Sequence, residues 1–187
     1  MRCMLIIPPW SPEEIFPSRT AGSQLNYWQP LGLLYVAASL RQAGHEVSFL
    51  DGAFMTHEDM VRRVREARPG FVGIYSTTFG WPAAVRTATA VKSVDAGIFT
   101  CVGGPYPTAV PDNCLGDGGQ RRHIDAVVVG EGERTVTELV DRLAAGGAPD
   151  GIRGVIFRNG AGIVRNPPRP LLEDLDALPF PARDLLE

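Results

Sequence analysis

Residues 98–111, IFTCVGGPYPTAVP, join a short apolar run to a glycine pair and a proline-rich turn. The run IFTCV does not alternate between apolar and polar residues, which is typical of a parallel strand covered on both faces. A glycine pair at the end of a strand permits positive φ and lets a ligand lie against bare backbone. The stretch therefore predicts a buried parallel strand and a binding surface where that strand ends.

Four further runs have the same apolar character: CMLII (3–7), EVSFL (46–50), FVGIYS (71–76) and IDAVVV (124–129). Between the five runs lie amphipathic stretches that predict helices, namely PLGLLYVAASLRQAG, THEDMVRRVREA, PAAVRTATAVKSV and ERTVTELVDRLAAGG, with a short turn near PDNCLG. Alternating strands and helices with right-handed crossovers predict an α/β fold with an open, doubly wound sheet.

The pattern changes after Pro149. IRGVIFRNGAGIVRN contains two short β runs around NGAG, which indicates a hairpin. The prolines of PPRP and of the closing LPFPARDLLE favour a semi-rigid spacer. We therefore predict a domain over 1–149, a hairpin extension over 150–170 and a linker over 171–187.

Composition narrows the class of partner. The 187 residues carry a net charge of -3, with no massed basic patch for nucleic acid or an anionic membrane. Three widely spaced cysteines indicate neither a disulfide framework nor a zinc site. The start lacks a signal peptide and no transmembrane run exists, so we expect a cytoplasmic protein with a small-molecule or protein partner.

Ligands of doubly wound sheets bind outside the carboxyl ends of the strands. A loop of over twenty residues follows the first strand. A loop of this length in a compact domain indicates a functional role. The other four exits read DGAF (51–54), STTFGWP (76–82), GGPYPTAVP (103–111) and GEGE (130–133). Two neighbouring exits carry paired glycines, which predicts one bulky ligand lying across both.

Common phosphate sites do not match these exits. Gly130 and Gly132 follow the fifth strand rather than the first, and residue 135 is threonine, so a dinucleotide fingerprint is absent. No Gly-Lys-Ser or Gly-Lys-Thr occurs, and the acids and lysine of a phosphoryl receiver are missing.

The order of these loops resembles the cobalamin-binding domain that precedes the radical S-adenosylmethionine domain in a large enzyme superfamily. The resemblance rests on PP after the first strand and on QPLGLLYVAASLRQAGHEV, VGIYSTTF, VGGPYPTAVP, DAVVVGEGE and PPRPLLEDLDALPFPARDLL. It covers essentially the whole chain. It implies a flavodoxin-like, mainly parallel five-stranded sheet of order 2-1-3-4-5, with the corrin over the strand ends and the nucleotide tail beside the sheet.

The resemblance also implies the cofactor contacts. The glycine pair would let the tail pass close to the backbone, the Ser-Thr-Thr run would bond the tail or face the lower side of the corrin, and the second and fifth exits would form the near and far walls. The implied set is Pro9, Trp10, Asp51, Gly52, Ala53, Phe54, Tyr75, Ser76, Thr77, Thr78, Phe79, Trp81, Gly103, Gly104, Pro105, Tyr106, Pro107, Gly130, Glu131 and Gly132. No catalytic residue and no metal ligand is assigned to this chain.

The sequence departs from better-known cobalamin folds at the residue that would lie below the metal. Better-known cobalamin folds place Asp-x-His-x-x-Gly after the first strand, where the histidine ligates cobalt. Here His45 and His123 precede strands two and five, and His57 begins a helix as a solvated residue. We therefore predict cobalamin with its own base displaced and no histidine below cobalt; Tyr75, Phe79 or Trp81 would cover that face.

The radical half requires Cys-x-x-x-Cys-x-x-Cys to hold an iron-sulfur cluster. Cys3, Cys101 and Cys114 do not have that spacing. The resemblance thus implies a cofactor-positioning module that is inactive alone. It would serve a cobalamin-dependent radical S-adenosylmethionine methyltransferase whose S-adenosylmethionine and 4Fe-4S cluster bind an absent domain or subunit. Two alternatives stay open: a degenerate cobalamin-free docking or substrate-recognition module, and half of a nucleotide-sugar glycosyltransferase.

Overall fold

The computed structural model describes residues 1–11, 29–116, 119–160 and 162–186. Its strands are β1 (Arg2–Ile7), β2 (Glu46–Asp51), β3 (Phe71–Tyr75), β4 (Phe99–Gly103), β5 (Ala126–Val128), β6 (Val155–Asn159) and β7 (Gly162–Arg165). They form one sheet of order β2-β1-β3-β4-β5-β6-β7. The first five are parallel, which confirms the predicted order 2-1-3-4-5.

The predicted hairpin continues this sheet. β6 pairs antiparallel with β5, and β7 pairs antiparallel with β6, so the sheet has seven strands rather than the five of the parallel part alone. Val155 and Phe157 of β6 are buried in the same core cluster as β5. The hairpin thus closes the edge of β5 that the parallel strands leave open.

Helices cover both faces as the apolar strands require. They are α1 (Leu31–Gln42), α2 (His57–Ala67), α3 (Trp81–Val94), α4 (Pro105–Ala109), α5 (Pro111–Cys114) and α6 (Gly132–Ala144). Thr56 caps α2 by accepting from the Asp59 N–H at 3.1 Å, while its hydroxyl donates to the Asp59 carboxylate at 2.7 Å. This reciprocal pair makes Thr56 the N-cap of α2.

Alternate residues of each strand divide the core in two. Leu5, Phe71 and Cys101 point to the face covered by α1 and α6, which we call the α1/α6 face. Met4, Val72 and Val102 point to the opposite face, covered by α2 and α3. All six are at most 3% exposed, so both sides of the sheet are dry.

A charged network fixes the amino-terminal ends of the strands. The Lys92 ammonium lies 2.6 Å from the Asp125 carboxylate and donates to the Ile98 carbonyl at 2.6 Å. Asp125 accepts from the backbone N–H of Thr100, a wholly buried residue of β4. This network satisfies polar groups at the end of the sheet opposite to the predicted site.

Residues 166–186, the C-terminal segment, run back over the α1/α6 face. The Gly154 N–H donates to the Pro167 carbonyl, and the Ala182 N–H donates to the Leu34 carbonyl at 3.1 Å. Arg41 pairs with Asp184, and Ala182 is 6% exposed. Within the described residues, no helix is long and apolar enough to cross a membrane.

Candidate functional site

A cavity of about 200 Å³ opens between the sheet and the first turns of α1 and α6. Its floor and walls are apolar, and its mouth lies at the carboxyl ends of β3, β4 and β5. The floor and walls include Leu5, Val36, Phe71, Gly73, Cys101 and Val136. The mouth includes Tyr75, Gly103, Gly104, Gly130, Glu131 and Gly132, six of the residues that the sequence singled out.

Gly73 determines the depth of this cavity, and the sequence reasoning missed it. It lies mid-strand on β3, opposite Leu5 of β1 and Cys101 of β4. A Cβ at this position would lie 2.7 Å from the Leu5 Cδ2 atom, so a larger residue would require the Leu5 side chain to move. A lone glycine inside a strand marks close approach by another group, which is the signal that could have found it.

The glycine pair after β4 behaves differently at its two positions. Gly104 has φ of 107°, and a Cβ there would lie 2.8 Å from the Ser76 carbonyl oxygen and 2.9 Å from the Tyr75 ring. Gly103, by contrast, has ordinary backbone, and its Cβ would meet only Val128, at 3.8 Å. Gly104 is therefore required by the fold, while Gly103 leaves room at the mouth.

The exit of β5 forms one wall of the mouth and holds the C-terminal segment. The Gly130 N–H donates to the Thr108 hydroxyl at 3.1 Å. The Glu131 carboxylate accepts from the Leu172 N–H at 2.7 Å, a contact that the sequence did not indicate. Arg169 pairs with Glu138, nearly two turns into α6. The mouth and the C-terminal segment are therefore linked by direct hydrogen bonds.

The exits of β1 and β2 pack against each other. A Cβ on Gly52 would lie 2.3 Å from the backbone of Pro8 and Pro9, so only glycine fits at this crossing. The buried Asp51 carboxylate accepts from the Ala53 N–H at 2.9 Å and starts a short 3-10 turn over Gly52–Phe54. Phe54 is 68% exposed, and Trp10 is half-buried. The predicted loop between β1 and α1 lies, over residues 12–28, outside the described residues.

The hydroxyls after β3 are occupied by local bonds. The Ser76 hydroxyl donates to the Thr77 carbonyl at 3.0 Å, and the Thr77 hydroxyl accepts from the Gly80 N–H at 3.2 Å. Thr78 is exposed, and Phe79 is 72% exposed. Phe54 and Phe79 thus present largely exposed aromatic rings after β2 and β3.

Two predicted residues lie on the other side of the sheet. Trp81 and Tyr106 stack with ring centroids 4.9 Å apart and pack against the core of the α2/α3 face. Pro107 is buried and Pro105 is exposed on the short α4. Of the three aromatic residues predicted near a metal, only Tyr75 lines the cavity, and its burial raises the pKa of the phenol.

Histidines and cysteines do not approach the cavity mouth. His45 bonds to Asp141 at 2.9 Å, His123 bonds to the Thr89 hydroxyl at 3.0 Å, and His57 is exposed. Burial raises the pKa of the Cys3 and Cys114 thiols to about 11. No cluster of three or more metal-binding side chains occurs among the residues that the structure describes.

A larger groove of about 760 Å³ runs along the outer edge of β2. Its lining includes Phe49, Arg62, Asp184 and Leu185. The groove borders one exit, at Asp51, whereas the cavity opens at three neighbouring exits, two of which contribute paired glycines. Because ligands of this architecture bind across the strand exits, the cavity is the stronger candidate site.

Residues 20–140 match the family model described as the B12 binding domain. An uncharacterized methyltransferase of Pyrococcus horikoshii is 35% identical over all of this chain, which spans 39% of that relative. Hopanoid C-3 methylase of Methylococcus capsulatus is also 35% identical, over 85% of this chain and 30% of its own length. The chain thus spans about a third of the length of these relatives.

A solved structure shows the same fold. The cobalamin-dependent S-adenosylmethionine radical enzyme OxsB, with aqua-cobalamin and S-adenosylmethionine bound, superposes with a TM-score of 0.77 at 16% identity. The match covers 99% of this chain and 24% of OxsB.

Proposed function

The chain belongs to the B12 binding domain family, and we propose that it binds cobalamin as the cofactor-positioning module of a radical S-adenosylmethionine enzyme. The observation that carries the proposal is the cavity of about 200 Å³ that glycines open below three strand exits. Drug-sized ligands need roughly 300–1,000 Å³. A cavity of the observed size suits one flat group of a larger ligand, such as the base of a nucleotide tail.

The residues around the cavity fit the nucleotide tail and the corrin of cobalamin. Space is open at Gly103 and Gly130: a Cβ at Gly103 would meet only Val128, at 3.8 Å, and a Cβ at Gly130 would meet nothing within 4 Å. The bare backbone therefore leaves a channel from the mouth to the floor, with Val36 and Val136 as its helical wall. Above it, Phe54 and Phe79 offer exposed rings for the flat corrin. Cobalamin, when bound, supplies the cobalt that carries a transferable group.

The position of the cavity supports the base-displaced form. Gly73 lies two residues below Tyr75 on β3, which is roughly 7 Å along a strand. A base held at that depth cannot also ligate a cobalt above the strand ends. In this form no histidine of the chain lies below the metal, so electron paramagnetic resonance of the Co(II) state should show no nitrogen coordination. Nitrogen splitting would overturn this part of the proposal.

The catalytic partner is proposed to bind the C-terminal segment. Leu171, Leu175 and Phe180 are 76%, 64% and 91% exposed, although the backbone around them is anchored to Glu131 and Leu34. Three large apolar side chains exposed on one anchored segment support a protein-binding role for that segment. The relatives named as methyltransferase and methylase support methyl transfer as the reaction of the whole protein.

Reconstitution tests cofactor binding directly. The purified chain is mixed with hydroxocobalamin, desalted, and its visible spectrum recorded; we expect retained corrin absorbance near one equivalent. A colourless, folded protein would refute the proposed function and favour a cobalamin-free docking module. For the partner, the reading frame that follows or adjoins residue 187 should encode Cys-x-x-x-Cys-x-x-Cys. Its absence from both places would refute the proposed radical partner.

A further inference from the structure

The floor of the cavity is uniformly apolar. Leu5 and Phe71 are 0% exposed, Cys101 is 3% exposed, and Gly73 contributes no side chain. Val36 and Val136 complete the helical wall, at 7% and 8% exposure. Whatever group occupies the floor is therefore surrounded by carbon and one thiol.

Backbone groups near the floor have other partners. β3 pairs with β1 on one side and with β4 on the other, in register at Gly73. Their N–H and C=O groups point along the sheet toward neighbouring strands, and not into the cavity. The Cys101 thiol lies 3.8 Å from the Val102 carbonyl oxygen, and a thiol is a weak donor. The floor thus offers a buried ligand almost no hydrogen-bonding capacity.

Polar side chains of the cavity lie at its mouth. Tyr75, Glu131 and Glu133 occupy the end of β3 and the start of α6. The Glu131 carboxylate already accepts from the Leu172 N–H. Tyr75 lies roughly 7 Å above Gly73 along the strand. A group at the floor is therefore beyond direct hydrogen-bond reach of these side chains.

We infer that this cavity discriminates between cobamides by their lower base, accepting dimethylbenzimidazole and rejecting adenine; this rests on the proposed function, in which the nucleotide tail enters the cavity. The benzene ring and two methyl groups of dimethylbenzimidazole gain from burial against Leu5, Phe71 and Val136. Adenine carries an exocyclic amine and additional ring nitrogens, which lose their water and find no partner at the floor.

The test compares three ligands on the intact chain by titration in visible light: aqua-cobalamin, its adenine-containing analogue, and cobinamide, which lacks the nucleotide. We expect the adenine form to bind at least about tenfold more weakly than cobalamin, a difference of about 1.4 kcal/mol. Cobinamide should bind more weakly than cobalamin as well, because it leaves the cavity unfilled.

A matched pair of variants checks the cause. Val136→Thr places a hydroxyl on the cavity wall. It should reduce the ratio of the Kd of the adenine form to the Kd of cobalamin at least about threefold. Val140→Thr buries the same hydroxyl one turn further along α6, at a fully buried residue outside the cavity lining, and should leave the preference unchanged.

Outcomes for the two proposals differ. Equal binding of cobalamin and the adenine form would overturn the inference while leaving the proposed function intact. Equal binding of cobinamide and cobalamin would also overturn it, since the tail would then contribute nothing. If none of the three ligands binds, the proposed function fails and the inference fails with it.

Discussion

Replacing Gly103 with valine should block the cavity without harming the fold. Gly103 is the last residue of β4, it has ordinary backbone, and a Cβ there would meet Val128 at 3.8 Å, which is normal van der Waals contact. Valine also favours extended backbone, while glycine weakens strands by roughly 0.5–1 kcal/mol relative to alanine. The variant should therefore unfold at the wild-type denaturant concentration or slightly above it.

The effect on cobalamin follows from the area that the tail can no longer bury. A flat aromatic group buries roughly 150–250 Å². Excluding half of the lower figure, about 75 Å², costs about 1.9 kcal/mol at about 25 cal/mol per Å². This corresponds to a roughly 25-fold increase in Kd. The increase should be larger if the valine excludes the whole base.

The assay is titration of the folded variant with hydroxocobalamin, followed by desalting and a visible spectrum. Gly162→Val is the matched control, since Gly162 lies on β7 with nothing within 4 Å of its Cβ position. The control should bind as the wild type does. Unchanged affinity of Gly103→Val, in a protein that folds normally, would refute the assignment of the cavity to the tail.

Three further predictions concern the fold around the site. Lys92→Met leaves the Asp125 carboxylate without its cation and should lower the free energy of unfolding in urea by about 3 kcal/mol. Arg62→Met breaks an exposed ion pair and should lower it by less than about 1 kcal/mol. Equal effects of the two variants would contradict the role of the network. Gly104→Ala should cost more than about 2 kcal/mol, because positive φ adds to the close contact with Ser76, while Gly130→Ala, with positive φ but open space, should cost about 1 kcal/mol; the reverse order would refute the close approach. The three buried thiols should react with a disulfide reagent at pH 8 only after unfolding, and rapid labelling of the native protein would contradict their burial. Burial raises the pKa of the Cys3 and Cys114 thiols from 9.0 to about 11. The free energy of unfolding should therefore be highest below pH 9 and decline as the pH rises toward 11.

Local sequence pattern determined the elements of this protein. Unbroken apolar runs such as FVGIY specify strands that are buried on both faces, because every side chain of such a run must leave water. The glycine pair after β4 was likewise readable, since its effect on the backbone depends on neighbours in sequence. The strand exits that line the cavity mouth were predicted for the same reason.

Tertiary structure decided which of these residues share a space. Strand alternation separates two faces but does not say which helices cover each. It therefore did not indicate that Trp81 and Tyr106, both predicted cofactor contacts, stack on the α2/α3 face. Leu5 and Gly73 meet only because β1 and β3 are paired, which brings together residues far apart in the chain.

The bond from Leu172 to Glu131 and the pairing of β6 with β5 are long-range contacts of the same kind. Such contacts depend on how whole elements pack, which no short stretch of sequence specifies. The residues at the strand exits were thus determined by local sequence. The cavity beneath them is determined by the packing of α1 and α6 on one face of the sheet.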